Sequence, residues 1–164
     1  MPERTEADPS ARLIEVNIDE ASMGANALEI EHERRVAIFD LLEENTFELL
    51  AGPRGPYKLD IAMIEQKLVI AVRTNGAAEA DATFILSLNP FRRLVKDYFL
   101  ICESYFEAIK TAPPSRIEAL DMARRALHDD GSKLLQERLE GKVRMDSPTS
   151  RRLFTLLCAL HWRG

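Results

Sequence analysis

Asn89-Pro90-Phe91-Arg92-Arg93 and Ser147-Pro148-Thr149-Ser150-Arg151-Arg152 are built alike. Each has a residue suited to capping a helix, a proline suited to the first turn, then two arginines. Free backbone N–H groups and the positive dipole end make a helix start attractive to anions, and guanidinium groups add charge and a fork of donors. Arginine in a first turn opposes the helix dipole, so the arrangement calls for negative charge nearby. An anionic ligand, an acidic partner or a carboxylate of the same chain would each supply it. Pairing with the acidic first half of the chain is the plainer reading.

A second set is Asp121, Arg124, Arg125 and His128. Spacings of three, four and seven place these side chains on adjoining parts of one helical face. Arg124 falls at the margin of an apolar face made by Ile117, Leu120 and Leu127, where a semi-buried guanidinium needs a carboxylate or a ligand. Asp121 could pair with Arg125 or orient it. His128 could titrate near neutral pH, which makes His128 and Asp121 the proton-transfer candidates if a substrate pocket adjoins them. A structural role for a histidine near a helix end is the blander alternative.

Other chemistry finds less support. His32-Glu33 has Val36 where a zinc-binding helix would place its second histidine. His32 and Arg35 fall on the expected buried face of their helix, which suits a core-edge histidine and a snorkelling arginine. With three histidines and no Cys-x-x-Cys pair, no metal site is expected, and no cofactor motif occurs: there is neither a phosphate-binding Gly-rich loop nor G-x-G-x-x-G. There is no G-x-S-x-G elbow. Cys102 and Cys158 fall within apolar helical stretches and read as buried free thiols, consistent with a reducing cytoplasm.

The elements that must position these residues are legible as periods. Arg12–Ile18 alternates as a half-buried strand, with Ile14, Val16 and Ile18 on one face. A helix is expected from about Leu28 to Glu44, after a break at Gly24 and Asn26, with Phe39 and Leu42 on its buried side. Gly52-Pro53-Arg54-Gly55-Pro56 is a loop. A three-stranded antiparallel meander follows, with turns near Glu65-Gln66 and Asn75-Gly76 and a last strand showing Ala82, Phe84, Leu86 and Leu88 on one face. Phe91, Leu94, Val95, Tyr98, Cys102, Tyr105, Phe106 and Ile109 mark a long helix, capped by Asn89 and ended by Pro113-Pro114. Ser115 and Glu118 stand at capping-box spacing for the next helix, which is expected to break near Gly131-Ser132. Ser147-Pro148 opens a final helix reaching His161. Strands and helices are segregated, so the fold class is α+β: N-terminal strand and helix, meander, then three to four C-terminal helices.

The chain has 164 residues and suits one domain, spanning 12–164 behind an acidic tail at 1–11 that reads as disordered. Its net charge of −5 disfavours nucleic acid, and no apolar run approaches a membrane span. The charge is uneven: residues 1–80 hold 8 Lys/Arg against 16 Asp/Glu, net −8, and residues 81–164 hold 14 against 11, net +3. A local anion site in the second half is compatible with that balance.

Four segments, Leu86–Ile109, Pro114–His128, Gly131–Val143 and Arg151–Gly164, resemble uncharacterised protein family 0262, and Glu31–Asn45 resembles it in the first half. The resemblance covers about residues 11–164. It implies an alphaproteobacterial cytoplasmic protein and brings no established activity, cofactor or catalytic residue.

Two functions of different kinds follow. The favoured expectation is a non-catalytic interaction or regulatory protein that contacts a protein partner, or itself, through its C-terminal helices. Leu100, projecting away from the long helix's stripe, and the nearly all-round apolar last helix (Leu153, Phe154, Leu156, Leu157, Cys158, Leu160, Trp162) supply the surface. Arg92, Arg93, Arg151 and Arg152 are its polar anchors. The alternative is an enzyme or sensor of a small phosphate- or carboxylate-bearing ligand held by Arg92, Arg93 and Arg124.

Overall fold

The computed structural model describes residues 8–19 and 28–160, with side chains from residue 31 onward in the first helix. Most of the expected tail, the break at Gly24 and Asn26, the Leu28 side chain, His161 and Trp162 lie outside the described residues. Asp8–Ala11 turn against the domain: Ser10 N donates to Asp8 Oδ1 at 3.0 Å, Asp8 pairs with Arg54 at 2.9 Å, and Ala11 is buried.

The fold is α+β. Strand β1 (Leu13–Ile18) runs parallel to β3 (Tyr57–Ile64), which pairs antiparallel with β4 (Lys67–Thr74), and β4 with β5 (Ala82–Ser87). The sheet order is β1-β3-β4-β5. Alternation decides the two faces. Leu59 opposite Val72, Ile61 opposite Ile70, and Leu68 opposite Leu86 are all buried. Lys58, Asp60 and Arg73 occupy the other face with Glu15 and Asn17. There Asp60 accepts from Arg73 Nε at 2.7 Å and from Asn17 Nδ2 at 2.9 Å. The register slips between Leu13 and Glu15. That bulge turns Leu13 inward with Val16 and leaves Ile14 half-buried, so Leu13 holds the inward position expected for Ile14.

Helix α1 (Leu28–Glu43) buries a different side from the expected one. Arg34, only 3% exposed, Ala37 and Leu41 face inward; Phe39 is 64% exposed, and His32 and Arg35 are also exposed. Val36–Phe39 and Leu41-Leu42 form a nearly continuous apolar run, so the sequence offers no single dominant side. Packing against β1 and the last helix selects the small Ala37 and Leu41. Asn45 ends α1, donating to Leu41 O at 2.9 Å and exchanging bonds with the Leu13 backbone.

A second sheet, not expected from the sequence, pairs β2 (Phe47–Leu49) antiparallel with β6 (Val143–Met145). The β3–β4 turn has Glu65 and Gln66 both at positive φ, the two-residue hairpin geometry.

Three helices complete the described chain. Helix α2 (Asn89–Thr111) begins one residue earlier than expected. Asn89 is its first residue rather than its cap, and Ser87 Oγ accepts the Asn89 N–H at 3.3 Å. Phe91, Val95 and Ala108 are buried, but Phe106 (59%) and Ile109 are exposed. A repeat of four and three drifts by about 20° per seven residues on a straight helix, which carries the end of the stripe off the core. Helix α3 (Pro114–Arg138) is capped at Pro113, not Ser115, and runs unbroken through Gly131-Ser132. Gly131 is where the last helix crosses: a Cβ there would lie 2.2 Å from the Phe154 ring. Helix α4 (Ser147–Leu160) starts at Ser147-Pro148 as expected, but Asp146 rather than Ser147 caps it, its Oδ1 accepting the Thr149 N–H at 2.9 Å. It packs between α1 and α3, and α3 packs on α2. Leu153, Phe154, Leu156, Leu157, Cys158 and Leu160 are all buried, so its apolar circumference forms the domain centre. Among the described residues no helix is long and apolar enough to cross a membrane.

Candidate functional site

Tyr98 packs against His128 with ring centroids 5.5 Å apart, and Tyr105 lies under the Arg124 guanidinium at 4.8 Å. One residue number rises as the other falls, so α2 and α3 run antiparallel. The contacts of Gly131 with Phe154 and of His128 with Thr155 make α3 and α4 antiparallel too. Where the three helices meet, a cleft of about 550 Å³ opens. Arg124, Arg125, His128 and Asp129 line it from α3, Arg151 and Thr155 from α4, and Tyr98 from α2.

Asp121 organises two of the cations. One carboxylate oxygen accepts from Arg124 and the other pairs with Arg125 Nη2 at 2.8 Å. The Arg124 hydrogen bond holds the Asp121 carboxyl below the usual carboxylate range, against partial burial, and the Arg125 charge adds to the effect. Stacking on Tyr105 fixes the Arg124 plane. Arg124 Nε is buried and has no hydrogen-bond partner among the described residues. Arg151 is exposed, and among the described residues its guanidinium forms no ion pair or hydrogen bond.

His128 sits between these charges. Thr155 Oγ1 donates to the Arg151 carbonyl at 3.0 Å, so its lone pair accepts from His128 Nε2 at 2.7 Å. This assigns the Nε2–H tautomer and leaves Nδ1 unprotonated. Burial pushes the imidazole pKa down, Asp129 opposes this, and Arg151 and Arg124 reinforce it. Negative charge brought beside this imidazole would favour its protonated form.

The remaining arginines stand elsewhere. Arg92 donates to Gln66 Oε1 and braces the β3–β4 hairpin against α2. Arg93 lies 3.8 Å from Asp97 on an open surface. Arg152 Nη1 donates to Glu44 O at 2.9 Å, satisfying a carbonyl at the end of α1. The structure therefore brings together Arg124, Arg151, His128 and Asp121, adds Arg125, and separates Arg92, Arg93 and Arg152 from them. Tyr98, Tyr105 and Thr155 were not singled out as site residues. Thr155, four residues after Arg151, carries the one sequence signal that could have found them.

Both cysteines are free; Cys158 is buried as expected, Cys102 only half-buried, and burial pushes both thiols up, away from the thiolate form. Among the described residues no three His, Cys, Asp or Glu side chains are grouped to hold a metal ion.

The fold and cleft define an α+β domain with a basic pocket among its C-terminal helices. The chain belongs to the Uncharacterised protein family (UPF0262), which it matches over residues 10–163. It is 56% identical over 158 residues to a UPF0262 protein of Rhizobium meliloti (strain 1021), covering 96% of this chain and 99% of that one. A UPF0262 protein of Brucella anthropi is 55% identical over 161 residues, 98% of this chain and 99% of the relative. One from Xanthobacter autotrophicus is 53% identical over the whole of both chains. The relatives come mostly from alphaproteobacteria. No solved structure matches.

Proposed function

We propose that this protein is a non-catalytic receptor for a small phosphate- or carboxylate-bearing anion, bound in the cleft between α2, α3 and α4. One observation carries the reading: Arg124, Arg125 and Arg151 converge with His128 around a single cavity of ligand size. Asp121 and Tyr105 hold Arg124 and Arg125 in place before any ligand arrives, which lowers the ordering cost of binding. Arg151 is left with unused donors, and a neutral His128 can charge on demand. The part played here by Arg92 and Arg93 in the sequence-based expectation falls to Arg125 and Arg151. In this reading Asp121, held by two arginines, orients the guanidinium groups, and His128 supplies charge through its unprotonated Nδ1.

A protein-partner function through the C-terminal helices draws less support, because the α4 surface that motivated it lies in the core and Arg92 and Arg152 brace internal contacts. Exposed Leu100, Ile109 and Met122 remain in its favour. The protein is expected to act in the cytoplasm in either case. A thermal-shift titration with inorganic phosphate tests the receptor reading: a ligand specific to the folded state raises the melting temperature. Arg151→Glu is expected to abolish the rise. An equal rise in the variant would remove the cleft from consideration.

A further inference from the structure

A second cavity of about 560 Å³ lies between α1, α2 and α4, and it shares two wall residues, Tyr98 and Thr155, with the basic cleft. Its character is opposite. Val36 and Ala37 of α1, Phe99 and Phe106 of α2, and Cys158 and Ala159 of α4 make it apolar. Among the described residues its charged rim is formed by the carboxylates Glu33, Asp40 and Glu103, with His32 beside them. Val36 (44% exposed) and Phe106 leave apolar surface open to water there.

The two cavities adjoin at Tyr98 and Thr155, and helical spacing carries residues from one to the other. Arg151, Thr155 and Ala159 recur every four residues along one side of α4, a path of about 12 Å at the helical rise. On α2, Tyr98, Cys102 and Phe106 keep the same spacing along the apolar cavity. A ligand following this path meets guanidinium groups at one end, a hydroxyl at the middle, and aliphatic and aromatic walls at the other. The carboxylate rim repels a negative head from the apolar end and so sets the direction of entry.

We infer that the ligand is a single-chain amphipathic anion: a carboxylate or phosphate head against Arg151, Arg124 and His128, with an aliphatic tail laid past Thr155 into the groove between α1, α2 and α4. The inference rests on the anion-receptor reading and specifies its ligand class. Apolar burial of the tail then supplies affinity that a bare anion lacks.

Calorimetric titration of the full chain with acetate, hexanoate, decanoate and inorganic phosphate, alongside sedimentation, separates the outcomes. Affinity is expected to rise about fourfold per added methylene until the groove is filled. Val36→Glu should flatten that dependence and leave phosphate affinity unchanged, and Arg151→Glu should weaken every ligand. Decanoate binding no tighter than acetate while phosphate still binds would overturn the inference and leave the anion site standing. Binding of none of them would remove both. Decanoate binding untouched by Arg151→Glu would put the head elsewhere and overturn it. So would a dimer that Val36→Glu dissociates, since a second copy of the chain would then own the groove.

Discussion

His128 links the charge of the site to pH. Its pKa is held below the ordinary histidine value chiefly by burial, so the ligand-free cleft carries a neutral imidazole near pH 7. A bound anion favours the imidazolium and raises that pKa, and binding therefore takes up a proton. Affinity should grow as pH falls from about 7.5 to 5.5. Sulfate is the cleaner probe, because its own charge is constant over that range. His128→Gln should make sulfate affinity pH-independent there, measured by calorimetry in buffers of matched ionic strength. Facing groups are Asp129, Arg124 and Arg125 on α3, Arg151 on α4 and Tyr98 on α2. Burial pushes the Tyr98 hydroxyl further from titration.

Secondary-structure elements depend on a few side chains at their crossings. Gly131 is the clearest. In an isolated helix Gly to Ala gains about 1 kcal/mol, but here the new methyl would meet the Phe154 ring at 2.2 Å. Overpacking of about 1–3 kcal/mol should exceed the propensity gain, so Gly131→Ala is expected to lower the urea midpoint. On the open face of the sheet, Arg73 holds the Asp60 carboxyl below its usual pKa, against partial burial, and Asn17 adds a donor. Asp8 is lowered to about 2 by Ser10 and Arg54. Depressed carboxylates stabilise the fold above their unfolded pKa and lose that contribution as pH falls through the folded value. Stability should therefore drop between about pH 4 and pH 2, and Asp60→Asn should lessen the drop in acid titrations followed by circular dichroism.

The elements legible in the sequence were those with a clean period. The meander alternates over eight residues in β3 and β4 and six in β5, and α2 repeats its apolar positions over several turns. The three-residue strands Phe47–Leu49 and Val143–Met145 are too short to alternate, and they are joined only by the fold. The sequence of α1 has apolar residues around most of its circumference, so Arg34 rather than Phe39 turns inward for reasons that lie in its neighbours. Gly131-Ser132 carries the composition of a break, yet serves a close helix crossing. At the site, Asp121, Arg124, Arg125 and His128 share a face by spacing alone. Arg151 and Thr155 join them only because α4 crosses α3 at Gly131, and nothing local separates Arg151 from Arg152, which turns to Glu44 instead.

For the whole molecule, the start of α4 is the joint that holds the cleft open. Thr149 Oγ1 accepts from Thr46 N at 2.8 Å and Ser150 Oγ donates to Ser132 O at 2.8 Å, with both residues fully buried. These bonds tie α4 to Thr46, just before β2, and to α3, and so fix where Arg151 stands relative to Arg124. Thr149→Val keeps the shape but leaves the Thr46 N–H without its acceptor, at a cost of about 1–3 kcal/mol. Thermal denaturation should show a melting temperature lower by several degrees, with anion affinity reduced as the joint loosens.

The most direct measurement is calorimetric titration of inorganic phosphate into the unaltered chain and into Arg151→Glu, with circular dichroism confirming that both are folded. Arg151 has no structural partner among the described residues, so its replacement should leave the fold intact. Loss of a charge-assisted hydrogen bond predicts affinity weaker by about tenfold or more. Equal phosphate affinity in the two proteins, or none in either, would contradict an anion receptor built where α2, α3 and α4 meet.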